Sequence, residues 1–261
     1  KVLSGEKMMI GALVCSIGAV ICYMLCYHMT TERVKVEQNT QKFSFKELIS
    51  EIAHNKALIG IIVCALLFLL AQLSLSNMNN YIYPNYFGNV SAMSLANLAG
   101  MVVILVLSTF IVKLSAKVGK KELSVIGSII SAAAFLILFF IHTDNVWVWI
   151  VLVLISSVGT AMFNMVIWAM ITDVIDDSEV RTGVRQDGTI YSVYSFARKL
   201  GQACSSGISG VLLSIIGYTA ATAHDPKVVD GIYNVTCLVP ALGMILLFLA
   251  LQFLYPLNKK R

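Results

Sequence analysis

Charge is what this sequence has least of. Lys, Arg, Asp and Glu make up 13% of its 261 residues, against about a quarter in a soluble domain. Hydrophobic residues reach 58%, and the mean hydropathy is +0.82. So few charges cannot coat a water-soluble surface, which excludes a secreted disulfide scaffold, a disordered regulator and a nucleic-acid module. Catalytic signatures are missing as well: there is no Walker loop, no G-x-G-x-x-G and no C-x-x-C pair. His28, His54, His142 and His224 are scattered, so they assemble neither a zinc site nor a Ser-His-Asp arrangement. Cys15, Cys22, Cys26, Cys64, Cys204 and Cys237 lie in or beside apolar runs and read as buried structural thiols. Neither an enzyme, a cofactor nor a metal site is expected in this segment.

What is present is a set of long apolar runs. Crossing a hydrocarbon core of about 30 Å takes roughly 20 apolar residues. Seven stretches qualify: Met8–His28, Ala57–Leu75, Ala92–Leu114, Leu123–Ile141, Val146–Ile171, Thr189–Ile216 and Cys237–Tyr255. If the connections alternate sides, one face collects fourteen Lys and Arg residues. The other collects Lys227 alone, apart from Lys1 and Lys7 before the first run. The positive-inside rule places the rich face in the cytoplasm, together with the Lys259-Lys260-Arg261 tail. The formal charge of +5 is then topology, in contact with lipid rather than nucleic acid.

An odd number of spans reads as one helix (1–29), a cytoplasmic loop (30–56) and a six-helix bundle (57–261), the fold class being all-α polytopic membrane protein. Because the chain starts at Lys1, it reads as a segment of something longer. Within the loop, Phe45, Leu48, Ile49 and Ile52 have helical spacing, and Ser44 with Glu47 forms a capping box, so a short amphipathic surface helix is expected. Tyr81, Tyr83 and Tyr86, in the uncharged connection 77–88, read as an interfacial belt, with ligand binding as the other reading. Gly201, Ala203, Ser205, Ser206, Gly207, Ser209 and Gly210 suit close helix packing.

Two features remain for function. The stretch 172–188 holds Asp173, Asp176, Asp177, Glu179 and Asp187 with Arg181 and Arg185. It is either a solvated loop or a salt-bridge lock on the cytoplasmic side. Acids at a helix C-terminus meet its partial negative charge, so Asp173 and Asp176 should seek Arg181, Arg185 or a cation on a neighbouring helix. Second, Arg198 and Lys199 are the only charged residues inside a span rather than in a connection or at a span's end. Lys199 lies about 15 Å from the span's end at about 1.5 Å per residue, so it should face a cavity or a buried partner. Arg198 points elsewhere and is placed to reach Asp173 or Asp176.

The run Gly159-Thr-Ala-Met-Phe-Asn164, then Trp168-Ala-Met-Ile-Thr-Asp173, Asp176, Glu179, Thr182-Gly-Val-Arg185, Asp187-Gly188, Tyr191 and Tyr194-Ser-Phe-Ala-Arg-Lys199 resembles the glycoside–pentoside–hexuronide:cation symporters. These are the melibiose- and glucuronide-carrier branch of the major facilitator superfamily. Lys117–Lys121, around Gly119, is similar to that superfamily's turn between helices eight and nine. The resemblance spans the chain as helix six, the middle loop and helices seven to twelve. It implies a major-facilitator-type C-terminal bundle and symport of a sugar, glycoside or hexuronide with Na⁺ or H⁺. The cation would be held mainly by an N-terminal bundle that this chain lacks. It also implies that Lys199 lines the cavity, with Asn164, Trp168, Tyr191 and Gln202 as further substrate candidates. Asp173, Asp176, Glu179, Arg181, Arg185 and Arg198 would form the cytoplasmic gate. Where this chain has Asn164, the melibiose carrier has tryptophan. The alternative is a membrane assembly subunit that transports nothing; early aspartates in five preceding spans favour transport, and a start codon just before Lys1 favours the subunit.

Overall fold

The computed structural model describes residues 5–31, 55–183, 185 and 187–257. The expected surface helix around Phe45–Ile52 and the Lys259–Arg261 tail lie outside the described residues. The chain divides into two units, Lys1–Ser44 and Phe45–Arg261. In the first, α1 (Gly5–Met29) buries none of its residues, although nearly all of them are apolar.

The second unit holds α2 (Lys56–Tyr81), continued by a π-helical turn (Ile82–Tyr86), then α3 (Val90–Val118), α4 (Lys120–Ile141), α5 (Val146–Thr182), α6 (Asp187–Ile215) and α7 (Pro226–Phe253). Polar side chains start four of these helices. The Oδ1 atoms of Asn55, Asn89, Asn145 and Asp225 accept from the backbone N–H groups of Leu58, Ala92, Trp147 and Lys227. Pro226 follows in the first turn of α7, where it sacrifices no hydrogen bond. Between α3 and α4 the chain reverses through Gly119 alone, at φ 116°, which is a glycine conformation.

Helix α4 packs on α5 and α7, α2 on α7 and α6, and α3 on α5. At the α4–α5 crossing Gly127 meets Gly159 backbone to backbone: a Cβ on Gly127 would lie 2.6 Å from the Gly159 carbonyl oxygen. Nearby, the hydroxyls of Ser131 and Ser156 bond at 2.6 Å. Close approach of this kind is how helices associate where no hydrophobic force acts between them. Two apolar clusters fill the bundle, one around Phe68, Phe163, Met170 and Leu251 and the other around Tyr83, Phe135, Trp149 and Tyr233.

Among the described residues six helices, α1 to α5 and α7, are long and apolar enough to cross a membrane. The remaining expected span, Thr189–Ile216, falls on a continuous helix of 29 residues, but one less apolar than the rest. Its buried stripe of Ile190, Tyr194, Ala197, Gly201, Ser205 and Ser209 faces the bundle, leaving Ser192, Lys199 and Ser206 exposed together with Phe196, Leu200 and Val211.

Several expectations are corrected. Residues 172–182 are not loop but the last three turns of α5, whose 37 residues reach about 55 Å at about 1.5 Å each. Residues 77–86 are helix as well. Tyr83, expected at an interface, is 1% exposed: it belongs to the apolar cluster with Phe135, Trp149 and Tyr233. Helix α7 begins eleven residues before Cys237. Of the six cysteines only Cys64 and Cys237 are buried; Cys15, Cys22, Cys26 and Cys204 are exposed and unpaired by disulfide.

Candidate functional site

The sequence candidates fall into three places. On α5 and α6, Trp168 stacks against Tyr191 and Tyr194, with ring centroids 6.2 and 6.0 Å apart. Tyr194 is fully buried and accepts from Arg198 Nη1 at 3.1 Å. The Arg198 guanidinium stands 5.0 Å over the Trp168 ring and 5.7 Å over Tyr194. Arg198 therefore does not reach Asp173 or Asp176, contrary to the expectation. A weakly hydrated guanidinium is well served by aromatic faces, and both acids have other partners. Lys199, one residue on, is exposed, and its Nζ donates to Gln202 Oε1 at 3.1 Å. That neutral amide one turn along is a weak counterpart for a full charge.

Asn164 lies apart from these residues. It lines a cavity of about 240 Å³ among α2, α3 and α5, together with Gln72, Asn79 and Asn97. Tyr83 closes one side. The Tyr83 hydroxyl and Asn79 Oδ1 are buried without a hydrogen-bond partner; the Trp149 indole N–H approaches the hydroxyl too loosely to count as one.

At the bundle's basic end the acids of α5 find cations. Lys120 Nζ bonds Asp173 Oδ1 at 2.6 Å and the Ala169 carbonyl at 3.2 Å, tying the α3–α4 turn to α5. Lys121 Nζ donates to the Tyr255 carbonyl at 2.7 Å, just beyond α7. Arg185 gathers three carboxylates: Asp187 at 2.9 Å, Glu179 at 2.7 Å and Asp176 at 3.1 Å. Those bonds, Asp187's foremost, raise the guanidinium's pKa further above its already high ordinary range. Arg181 pairs with Asp177 one turn earlier at 3.3 Å. A cavity of about 480 Å³ opens beside this network, bordered by Gly119, Lys120, Lys121, Asp173 and Tyr255. Among the described residues no group of three or more His, Cys, Asp or Glu side chains is placed to hold a metal ion.

A family of MFS/sugar transport proteins matches residues 2–259. The chain belongs to that family. Within it the relatives point to the glycoside–pentoside–hexuronide branch. The chain is 31% identical over 243 residues to the uncharacterized symporter YjmB of Bacillus subtilis, covering 93% of this chain and 53% of that protein. It is 30% identical over 256 residues to the glucuronide carrier protein homolog of Escherichia coli, covering 95% of this chain and 54% of that protein. Against a putative sulfoquinovose importer of Escherichia coli the identity is 29%, over 96% of this chain and 54% of that protein. The chain thus spans about half the length of the curated relatives it matches. The family consists of transporters rather than enzymes.

Charge made the α6 residues and the α5 acids visible in the sequence. Lys120 and Lys121 were visible as part of a basic turn, but nothing there said which acid or carbonyl each would meet. Gln72, Asn79, Asn97 and Tyr83 went unnamed as a group. Their only signal was uncharged polarity inside or beside apolar runs, which is weaker than charge.

Proposed function

We propose that the chain forms the C-terminal half of a cell-membrane symporter that couples an acidic sugar, a hexuronide or close analogue, to Na⁺ or H⁺. Lys199 carries this reading. A lysine twelve residues into α6, about 18 Å along it at about 1.5 Å per residue, is costly in a membrane unless something answers its charge. Its one described partner is the Gln202 amide. The carboxylate of a uronide, or the sulfonate that one relative's name suggests, supplies the missing anion. A non-transporting assembly subunit leaves that lysine without a purpose. The coupling cation is held by the N-terminal half, since Asp173, the acid of α5 nearest the membrane interior, is already paired with Lys120. The basic end then faces the cytoplasm, and its ion pairs close that side in one state of an alternating-access cycle.

The test is uptake by the complete protein in sealed vesicles. Labelled methyl glucuronide should accumulate uphill only when an inward Na⁺ or H⁺ gradient is imposed, and Lys199→Ala should abolish the accumulation. Normal uphill uptake by Lys199→Ala overturns the role of Lys199. Uptake indifferent to both gradients overturns the coupling.

A further inference from the structure

The transport reading gives Lys199 a purpose and leaves its neighbour Arg198 without one. Among the described residues Arg198 pairs with no acid. Its guanidinium lies instead between two helices, 5.0 Å over the Trp168 ring of α5 and 5.7 Å over the Tyr194 ring of its own helix. Nη1 donates to the Tyr194 hydroxyl at 3.1 Å. From Gly201 onward α6 is attached elsewhere, along α2. A Cβ on Gly201 would stand 2.9 Å from Leu66 Cδ2. The Ser205 and Ser74 hydroxyls bond at 3.4 Å, and Asn77 Nδ2 donates to Ser209 Oγ at 3.2 Å. Helices α5 and α6 approach each other closely at few points, so the Arg198 stack is a main link between them.

Lys199 therefore stands between two attachments, Arg198 to α5 one residue before it and Gly201 to α2 two residues after. An α-helix turns about 100° per residue, so pinning positions 198 and 201 to different neighbours fixes the direction in which position 199 leaves the axis. We infer that Arg198 is a positioning residue: stacked on Trp168 and bonded to Tyr194, it holds α6 against α5 at the rotation that presents Lys199 to the substrate's anionic group. The inference rests on the reading of Lys199 as that anion's partner and deepens it. Without the stack, this part of α6 is free to roll about its contact with α2, and the long lysine stem magnifies the roll at Nζ. A guanidinium suits the task because it is planar, weakly hydrated and always charged. It lies flat on rings where an ammonium acts as a strongly hydrated point charge. Tyr194 is fully buried, so its hydroxyl influences a substrate only through Arg198.

The test is a double-mutant cycle read as binding. Methyl glucuronide is titrated by flow dialysis into membrane vesicles holding the complete protein, which returns the dissociation constant separately from the number of sites. Lys199→Ala should weaken binding about 10–100-fold, the worth of a hydrogen bond between charged groups. Arg198→Ala should weaken it about 3–10-fold, and Arg198→Lys nearly as much, because an ammonium does not reproduce the stack. Tyr194→Phe keeps the ring and removes one oxygen, so it tests the link even if Arg198→Ala folds poorly; about 2–5-fold is expected. In a Lys199→Ala background each of these further losses should shrink below about twofold, since no ammonium is left to aim. Losses of equal size in both backgrounds, or a fall in the number of sites at constant affinity, show a merely structural role and overturn the positioning role. Unchanged affinity in Arg198→Ala and Tyr194→Phe overturns it too, as does full affinity in Arg198→Lys, which makes Arg198 a charge rather than a stack. If Lys199→Ala binds as tightly as the unmodified protein, or the unmodified protein binds no methyl glucuronide, the reading of Lys199 itself fails, and the positioning role with it.

Discussion

The two ends of the bundle are held together by different physics. At the basic end the contacts are ion pairs with access to water: Lys120 and Asp173 are 35% and 37% exposed in their side chains, and Arg185 is 50% exposed. At the other end buried rings dominate, beside an exposed Tyr86–Asp144 hydrogen bond and a His142–Asp230 contact at 3.6 Å. Tyr233 sits 4.3 Å from His142, 4.7 Å from Tyr86 and 5.4 Å from Trp149, and both Tyr233 and Trp149 are fully buried. The Tyr233 hydroxyl donates to the Leu138 carbonyl at 2.8 Å and accepts from the Thr143 N–H at 3.1 Å, closing the α4–α5 connection. Solvated ion pairs contribute about 0–1 kcal/mol each and can be exchanged for water and salt at small cost. Buried rings remove about 150–250 Å² each from solvent and hold one geometry. The difference suits the basic end to reversible opening and the aromatic end to holding the helices in register.

Substitutions at three positions test that division, in descending order of expected effect on stability. Tyr233→Ala should destabilise the bundle by about 3–5 kcal/mol through the cavity it leaves, read as an earlier thermal transition of the detergent-solubilised protein. Tyr233→Phe should keep the ring stack and recover most of that loss. Asp173→Asn should cost about 1 kcal/mol or less, because its partner is more than one-third exposed. Transport by that variant should nevertheless change several-fold, measured as exchange in vesicles. If Asp173→Asn unfolds the protein as readily as Tyr233→Ala, the comparison between the ends fails. Arg185→Ala should leave the thermal transition where it was and make exchange less sensitive to salt. Arg185→Lys should not restore the original salt response, since a single ammonium cannot reproduce the fork that reaches Asp176, Glu179 and Asp187.

Much of the fold was legible because a membrane leaves the backbone few choices. A chain in hydrocarbon must satisfy its own N–H and C=O groups, so a long apolar run is a helix almost by necessity. That logic ends where the run ends, which is why residues 172–182 read as loop although α5 continues through them. A helix persists into water when its neighbours keep it there, and here Lys120 and Arg185 answer its acids. The start of α7 had a local signal in Asp225-Pro226, a cap followed by a first-turn proline, that apolar length alone overlooked. The candidate site shows the same division. Lys199 and Arg198 stood out as lone charges, whereas the direction of Arg198 depended on where α5 places Trp168. The four carboxamides are separated by up to 92 positions, from Gln72 to Asn164, and nothing local links them.

By itself, then, the sequence determined a membrane-embedded helical bundle, the family to which it belongs and the run that carries Arg198 and Lys199. These are properties of composition, run length and motif, and each residue contributes to them locally. Tertiary packing decided which partner each charge takes, that Tyr83 is buried and that Asn164 shares a cavity with Gln72, Asn79 and Asn97. Those outcomes depend on how helices remote in sequence cross. Close approaches such as Gly127 on Gly159 fix such crossings, and a crossing is a property of two surfaces together.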